Sequence, residues 1–296
     1  MKKIFTKIIS LETPSHLLLN GLLLSVKRSR TLFIMVHGLS SSLFSRRQLV
    51  DRLVSSGADV LVFNNRGFGI INTFSRINPK DPEQVDKLVI GQAHELFRDC
   101  LDDLDGAVRF GAQQGYKKII LVGHSTGCNK ISYYLSKKSP ALVKGAVLLA
   151  AVSDYAEAKK NVPARQLARA LEYSYRLVKA GRDHELLPSH IWPRAMDAQR
   201  FISLNTPDSE EEIFTYASPG KKPVTLRKIK PPILVVLAEQ DEFGDRPMIE
   251  IARWFDQALK DKVALVKVIK GAPHSFAGKN NQVAKIMLDW FSQFVK

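Results

Sequence analysis

The sequence of 296 residues lacks the features that mark several special classes of protein. Its two cysteines, Cys100 and Cys128, are too few for a disulfide framework and favour a reducing, cytoplasmic location. No apolar run reaches the roughly 18 residues of a membrane span, and Lys7, Glu12 and Pro14 interrupt the N-terminal stretch that a secretory leader would need. With 45% hydrophobic and 25% charged residues and no internal repeat, the composition predicts a soluble globular enzyme.

Acidic residues are also scarce. They number 29, against 44 Lys and Arg, which gives a formal net charge of +15. The basic residues are dispersed, without a basic arm or a stripe interleaved with aromatics, so no nucleic-acid partner is expected. The net positive charge leaves the option of an anionic substrate, attracted by arginines between residues 155 and 227 such as Arg165, Arg169, Arg194 and Arg200.

The spacing of metal ligands in known motifs is absent as well. His94-Glu95 is not followed by the second histidine of a zinc-protease motif. A helix is predicted over residues 92–114, and its carboxylates are spread around it without a set of His or Cys ligands, so we interpret them as a solvated face. These carboxylates are Glu95, Asp99, Asp102, Asp103 and Asp105. No metal and no cofactor are therefore expected.

Apolar runs of strand length alternate with helical patterns along most of the chain. The runs are 31–36, 60–63, 119–122, 144–150, 232–237 and 262–269. Such alternation predicts an α/β fold with a mostly parallel central sheet flanked by helices. A hairpin of residues 1–12 with 17–24 is predicted at the start, and a helix over 283–295 should pack on the sheet.

Residues 155–227 interrupt this pattern. They lack long apolar runs and carry helical stretches such as 165–179, followed by irregular segments with Pro, Ser and Trp. We interpret the segment as a helical cap inserted into the core. The predicted domains are thus a core of residues 1–154 and 228–296 and a cap of residues 155–227.

The strongest indication of chemistry is Gly123-His124-Ser125-Thr126-Gly127, a G-x-S-x-G motif between a predicted strand and a predicted helix. A turn this tight strains the backbone at Ser125 and exposes its hydroxyl, while the glycines let strand and helix approach closely. Ser125 is therefore the predicted nucleophile. Cys128, three residues further on, is interpreted as a small packing residue.

A serine nucleophile needs a base and an acid that orients the base, and both residue types occur downstream at predicted strand ends. His274 follows the run 262–269 and is the predicted base, because the pKa of histidine lies near neutral pH. Asp241 follows the run 232–237 and is the preferred acid, since ligands bind at the carboxyl edge of such sheets. The same loop offers alternative acids, which are Asp245 and, after it, Glu239 and Glu242.

The oxyanion hole is predicted from two backbone N–H groups. The run 31–36 ends in His37-Gly38-Leu39, where glycine permits a sharp turn that aims the N–H of Leu39 at a substrate carbonyl. The second donor is the N–H of Thr126, at the positive end of the helix that follows Ser125. His37 is expected to hold this loop by a hydrogen bond, or to pack.

Three segments resemble the α/β-hydrolase superfamily, namely NNRGFG at 64–69, GHSTGC at 123–128 and AEQDEF at 238–243. Within it, they and TPDSEE at 206–211 are similar to the DUF1749 group, which includes fungal siderophore-ester hydrolases. The resemblance implies the α/β-hydrolase fold and a triad of Ser125, Asp241 and His274.

Residues and resemblance together predict a serine hydrolase that cleaves a carboxylic ester through an acyl-enzyme. The expected partner is therefore a small acyl or ester substrate. Hydrolysis of a thioester or an amide, and acyl transfer, are alternatives on the same triad. A non-catalytic binding protein of the same fold is the remaining one.

Overall fold

The apolar runs of the sequence form the central strands of one ten-stranded sheet in the computed structural model, which describes residues 3–295. Every side chain of Ile119–Val122 is fully buried, as expected for strands covered by helices on both faces. The strands are β1 (Phe5–Glu12), β2 (Leu17–Ser25), β3 (Thr31–Val36), β4 (Asp59–Phe63), β5 (Thr73–Asn78), β6 (Asp81–Val89), β7 (Lys118–His124), β8 (Val143–Leu149), β9 (Ile233–Gln240) and β10 (Ala264–Pro273).

The sheet is parallel on one side and antiparallel on the other. Its order is β10-β9-β8-β7-β3-β4-β2-β5-β6, with β1 paired to β2. The pairs from β10 to β4 are parallel, which confirms the predicted mostly parallel centre, and β2 pairs antiparallel with β1, β4 and β5. The predicted N-terminal hairpin is confirmed from Phe5 onwards, whereas Met1 and Lys2 lie outside the described residues. The second hairpin, β5–β6, was not predicted.

Helices cover both faces of the sheet. They are α1 (Arg47–Ser55), α2 (Cys100–Gln113), α3 (Thr126–Lys137), α4 (Asp154–Asn161), α5 (Ala164–Lys179), α6 (Ala198–Asn205), α7 (Val224–Lys228), α8 (Met248–Ala258) and α9 (Asn280–Phe294). Along β3, Leu32, Ile34 and Val36 pack towards α2, α3 and α8, and Phe33 and Met35 pack towards α1 and α9. The alternation follows from the two-residue period of a strand.

The predicted helix over 92–114 is wrong in its first part, because α2 begins only at Cys100. The backbone before it hydrogen-bonds across the fold instead. The N–H of Gln92 donates to the carbonyl of Gly69 (3.0 Å), and the N–H of Ala93 donates to that of Ile70 (2.8 Å). A backbone held by distant partners cannot make the i to i−4 bonds of a helix.

The segment between β8 and β9 carries helices α4 to α7. Apolar side chains between Ala170 and Leu204 form a hydrophobic cluster of their own. Phe214, Leu226 and Ile229, by contrast, belong to the cluster beneath the sheet. The division into core and cap stays a prediction, and this packing favours a cap that ends near α6. Within residues 3–295, no helix is long and apolar enough to cross a membrane.

Candidate active site

Ser125 lies in a strained turn between β7 and α3. Its φ is 56° and its ψ is −130°, a conformation that non-glycine residues rarely adopt and that tends to be found at functional sites. The turn is held from both sides, because the N–H of Ser125 donates to the carbonyl of Leu149 (3.0 Å) and its carbonyl accepts from the N–H of Cys128 (2.8 Å). The side chain is partly exposed and faces a cavity.

The glycines on either side of Ser125 are required by close backbone contacts. A Cβ on Gly123 would lie 2.5 Å from the carbonyl of Gly127, and a Cβ on Gly127 would lie 2.2 Å from the carbonyl oxygen of Val36. Any larger residue at either position would force strand and helix apart. Cys128 is fully buried, and burial raises the pKa of its thiol far above the ordinary value, so its interpretation as a packing residue fits the structure.

His274 and Asp241, which are 33 residues apart, form a buried pair. Nδ1 of His274 lies 2.9 Å from Oδ1 and 2.8 Å from Oδ2 of Asp241, whose side chain is fully buried. With two carboxylate oxygens facing it, Nδ1 carries the proton and donates it, which leaves Nε2 as the basic nitrogen. Both His274 and Ser125 line the same cavity of about 610 Å³. Among the described residues, no hydrogen bond joins the Ser125 hydroxyl to His274 or to another group.

The other carboxylates of this loop have different partners. Asp245 pairs with Arg246, with 2.7 Å between Oδ2 and Nη2. Glu239 accepts the N–H of Gly271 (2.8 Å), and Glu242 accepts the N–H of His274 (3.0 Å). Asp241 is therefore the carboxylate that contacts the imidazole of His274, and Glu242 holds its backbone.

Two further side chains hold His274 and were missed from sequence. His124 is buried, which together with the charge of Arg46 pushes its pKa far below the ordinary value, so its neutral ring donates from Nε2 to the carbonyl of His274 (2.9 Å). The ring of Phe243 packs edge-on against that of His274, with 4.7 Å between the ring centroids. The signal available in the sequence was that His124 directly precedes Ser125 and that Phe243 follows Asp241 by two positions.

The loop after β3 lies directly against Ser125. A Cβ on Gly38 would lie 2.8 Å from the Cβ of Ser125, so no other residue fits there without displacing the turn. Leu39 lines the cavity. Within residues 3–295, the backbone N–H groups of Leu39 and Thr126 have no hydrogen-bond acceptor, so both are available to a bound ligand.

His37 holds this loop, as the sequence predicts. Its Nδ1 donates to the carbonyl of Gly38 (2.8 Å), and its Nε2 accepts from the N–H of Asn65 (3.2 Å). Burial, reinforced by the charge of Lys130, lowers the pKa of His37 to about 4. The ring is neutral at physiological pH and acts as a fixed spacer between two loops.

Beneath His37 lies a buried ionic network that connects core and insertion. Lys130 donates to the side-chain oxygen of Asn65 (2.9 Å) and pairs with Glu95 (2.5 Å). Arg200 of α6 bonds Glu211 and lies 3.3 Å from Glu95. The expectation that Arg200 attracts an anionic substrate is thus wrong, because its side chain is fully buried and paired. Nothing local in the sequence indicates these partners.

The interpretation of the carboxylates of 92–114 as a solvated face is also wrong for most of them. Asp99, Asp102 and Asp103 surround the guanidinium of Arg66 at 3.0, 2.6 and 2.7 Å. Spacings of three and four residues place them on one side of the chain, where a buried cation compensates their charge. The cluster anchors the loop that carries Asn65.

The cavity at Ser125 extends under the insertion. A side pocket of about 200 Å³ shares Leu39, Asp154, Glu157, Pro193 and Arg194 with it and adds apolar walls. Those walls include Ala158, Val162, Trp192, Met196 and Leu204. Of the four arginines considered for substrate attraction, Arg194 is the one that lines these cavities within the described residues.

Asp154, which lines the cavity, and Glu212, which bonds to the neighbouring Ser153, have displaced pKa values. Burial raises the pKa of Glu212 to about 8, against the opposing hydrogen bond from Ser153, whose Oγ lies 2.8 and 2.9 Å from the two carboxylate oxygens. Removal from solvent likewise raises the pKa of Asp154 to about 7. Both groups hold protons at pH values at which an unfolded chain has released them.

Glu212→Gln should weaken the decline of stability with rising pH. The folded state keeps the Glu212 proton to about 8, whereas the unfolded chain releases it near 4.5, so the free energy of unfolding falls as pH rises between these values. Urea unfolding between pH about 5 and about 9 should therefore show a shallower decline for the variant. The exposed Glu172→Gln should behave as wild type. Parallel curves for wild type and Glu212→Gln would contradict the assignment.

Comparisons with known proteins show which solved structures this fold resembles. None of the curated proteins matches the sequence. The siderophore hydrolase EstB from Aspergillus fumigatus is a similar solved structure, with 18% identity, coverage of 99% of this chain and 98% of that one, and a TM-score of 0.68. The α/β hydrolase GrgF from Penicillium sp. sh18 has 17% identity, coverage of 98% and 99%, and a TM-score of 0.66. Est1E from Butyrivibrio proteoclasticus, solved with ferulic acid, has 15% identity, coverage of 96% and 100%, and a TM-score of 0.60.

At such low identities these structures establish the fold, which is that of the α/β hydrolases, as predicted. The sequence itself matches a family model described as protein of unknown function (DUF1749) over residues 92–296, which include β7, Ser125 and the loops of Asp241 and His274. The chain therefore belongs to the DUF1749 family and has the α/β-hydrolase fold.

Proposed function

We propose that the protein is a serine hydrolase that cleaves a carboxylic ester through an acyl-enzyme. One observation carries the proposal: a strained, partly exposed Ser125 lines the same cavity as His274, whose ring is paired with the buried Asp241. A serine, an imidazole and a carboxylate in this relation form the recurrent machinery of acyl transfer. The three residues come from three loops at the carboxyl edge of the sheet, where such folds bind ligands.

In the proposed reaction, Nε2 of His274 takes the proton of Ser125 Oγ as that oxygen bonds to the ester carbonyl carbon. Asp241 fixes the tautomer of His274 and stabilises the imidazolium that forms. His274 then gives its proton to the departing alkoxide, which leaves as an alcohol. A water molecule then attacks the acyl carbon while His274 takes its proton. His274 returns that proton to Ser125 Oγ as the acyl C–O bond breaks, which releases the acid and restores Ser125.

The proposed oxyanion hole consists of the N–H groups of Leu39 and Thr126. Both are free of acceptors within the described chain, and Thr126 begins α3, whose N-terminal end carries partial positive charge. Preorganised donors of this kind stabilise the negative charge of the tetrahedral intermediate, and they therefore contribute a large part of the rate enhancement in acyl transfer. The contacts of His37 and Gly38 keep the Leu39 loop in place.

The proposed substrate is a small molecule with one medium-sized apolar arm. The side pocket of about 200 Å³ is lined by Trp192, Met196 and Leu204, which suits a short acyl chain or an aromatic acyl group. EstB is described as a siderophore hydrolase, and Est1E was solved with ferulic acid, a carboxylic acid of the kind that hydrolysis of an ester releases. Arg194 is the arginine placed to attract an anionic substrate, and it shares the cavity lining with the acidic residues Asp154 and Glu157.

Ala158→Phe should narrow the range of acyl groups. Ala158 is buried in the wall of the side pocket, so a phenyl ring there would fill the space available to the apolar arm. We expect kcat/KM for a p-nitrophenyl ester with a medium acyl chain to fall by about 10-fold or more, with little change for the acetate. Ala168→Phe is the matched control, because Ala168 lies exposed on α5. Equal losses on both esters would show that the pocket does not hold the acyl arm.

The proposed function is tested by labelling with a fluorophosphonate, which forms a covalent bond with an activated serine. Mass spectrometry of the labelled protein should locate the adduct on Ser125. Turnover of matched esters, thioesters and amides, with and without an added alcohol or thiol acceptor, then identifies the reaction. Faster cleavage of the amide or thioester, or acyl transfer to the acceptor, would show that ester hydrolysis is not the reaction. Absence of label on the protein would favour the non-catalytic binding protein instead.

A further inference from the structure

Three side chains capable of binding a metal converge outside the candidate active site. Nδ1 of His94 lies 3.0 Å from Oδ2 of Asp197, and Nδ1 of His184 lies 3.1 Å from the same oxygen. The three residues offer ligand atoms that all lie within 4.8 Å of one another. The sequence predicted no metal, because these residues are separated by 90 and 13 positions and match no ligand spacing.

Asp197 is a buried carboxylate, and within residues 3–295 its ion-pairing contacts are with these two imidazoles. Its side chain is fully buried, and its second oxygen, Oδ1, accepts the N–H of Arg200 at the start of α6 (2.8 Å). Within residues 3–295, no Lys or Arg side chain forms an ion pair with it. A buried carboxylate is normally paired with a cation or bound to a metal.

The geometry is close to that of a metal centre. Bonds of about 2.0–2.1 Å from Zn²⁺ to nitrogen and oxygen in a tetrahedron place neighbouring ligand atoms about 3.3 Å apart. The observed Nδ1–Oδ2 distances of 3.0 and 3.1 Å differ from this value by only a few tenths of an ångström, and the ligand nitrogens of the two histidines lie within 4.8 Å of each other. Two imidazoles and one carboxylate are also a donor set that Zn²⁺ accepts, with a fourth position left for water.

His184 has the surroundings expected of a ligand. Its Nε2 lies 3.6 Å from a carboxylate oxygen of Asp183, which is longer than a hydrogen bond. A carboxylate that accepts the outer N–H of an imidazole makes it a better ligand, and Asp183 is the carboxylate placed on that side of the ring. Its side chain is 55% exposed, which gives an ion a path of entry. His94 lies deeper, with 18% of its side chain exposed, and closes the site from the core side.

We propose that His94, His184 and Asp197 bind one divalent transition-metal ion of the Zn²⁺ type, which ties the insertion to the core. His94 belongs to the loop held by β5–β6 and the core, whereas His184 follows α5 and Asp197 precedes α6. Binding through Nδ1 requires both rings to carry their proton on Nε2. Gln92 and Ala195, near two of the ligands in sequence, line the cavity of Ser125, which the ion would stiffen.

The test begins with metal-free protein prepared by dialysis against a chelator. Calorimetric titration with ZnCl₂ should show one equivalent bound per chain, and Co²⁺ should give the visible absorption of a four-coordinate site. Zn²⁺ should also raise the Tm, because it binds the folded state. His184→Ala and Asp197→Asn should lower the affinity by about 10-fold or more and remove the Tm rise. Asp197→Asn keeps an oxygen that can cap α6.

The matched control is His190→Ala, since His190 is an exposed histidine of the same segment and should leave binding unchanged. Absence of binding to wild type overturns the proposal. Binding that survives His184→Ala, or that His190→Ala abolishes, overturns it as well, because it is then adventitious. Ser125→Ala should bind the metal as wild type does, so failure of the metal site and failure of the proposed hydrolase can be told apart.

Discussion

Ser125→Ala should reduce kcat for a short p-nitrophenyl ester by on the order of 10⁴-fold or more. The loss is this large because the variant has no oxygen to form the acyl-enzyme, and only binding and the oxyanion donors remain. Labelling by a fluorophosphonate should disappear as well. Steady-state kinetics and gel labelling measure both effects.

The control for this variant is Ser136→Ala on α3, a serine whose hydroxyl donates to the carbonyl of Tyr133 and lies away from the cavity. It should keep wild-type turnover. The turn imposes a positive φ on whichever residue stands at position 125, so alanine leaves the backbone strain unchanged. Circular dichroism should show that the variant is folded like the wild type. A labelled, active Ser125→Ala protein would exclude Ser125 as the nucleophile.

Asp241→Asn should lower kcat by on the order of 10³- to 10⁴-fold while the protein stays folded. The amide would present an N–H to Nδ1 of His274 and favour the tautomer with its proton on Nε2, which can no longer accept from Ser125. Asp245→Asn should cost far less, because Asp245 pairs with Arg246 and not with His274. Rates measured for both variants on one ester decide between the acids, and the reverse ranking would assign the role to Asp245.

Much of the core could be predicted because its signals are local. The apolar runs became β3, β4, β7, β8, β9 and β10, and the glycine spacing around Ser125 indicated the tight turn that the structure shows. Each of these features depends on residues within about one element of one another. The hairpin β5–β6 escaped prediction because its strands are mostly exposed and polar, without an apolar run.

The burial of charged side chains could not be predicted from the local sequence. Asp103 and Glu95 have the composition of a wet surface, yet they are buried because Arg66, Lys130 and Arg200 neutralise them. Those cations lie 35 to 105 positions away along the chain. A carboxylate is exposed or buried according to its partner, and only the folded chain determines which partner is present.

The local order of residues alone determined the α/β pattern and the exposed turn at Ser125, and it narrowed the choice of base and acid to a few candidates at strand ends. Tertiary structure decided that Asp241 and not Asp245 faces His274, that His124 and Phe243 support that ring, and that His94 meets His184 and Asp197. The physical reason is range. Backbone preferences and hydrophobic periodicity act over a few residues, whereas hydrogen bonds and ion pairs act over a few ångströms between segments that the fold brings together.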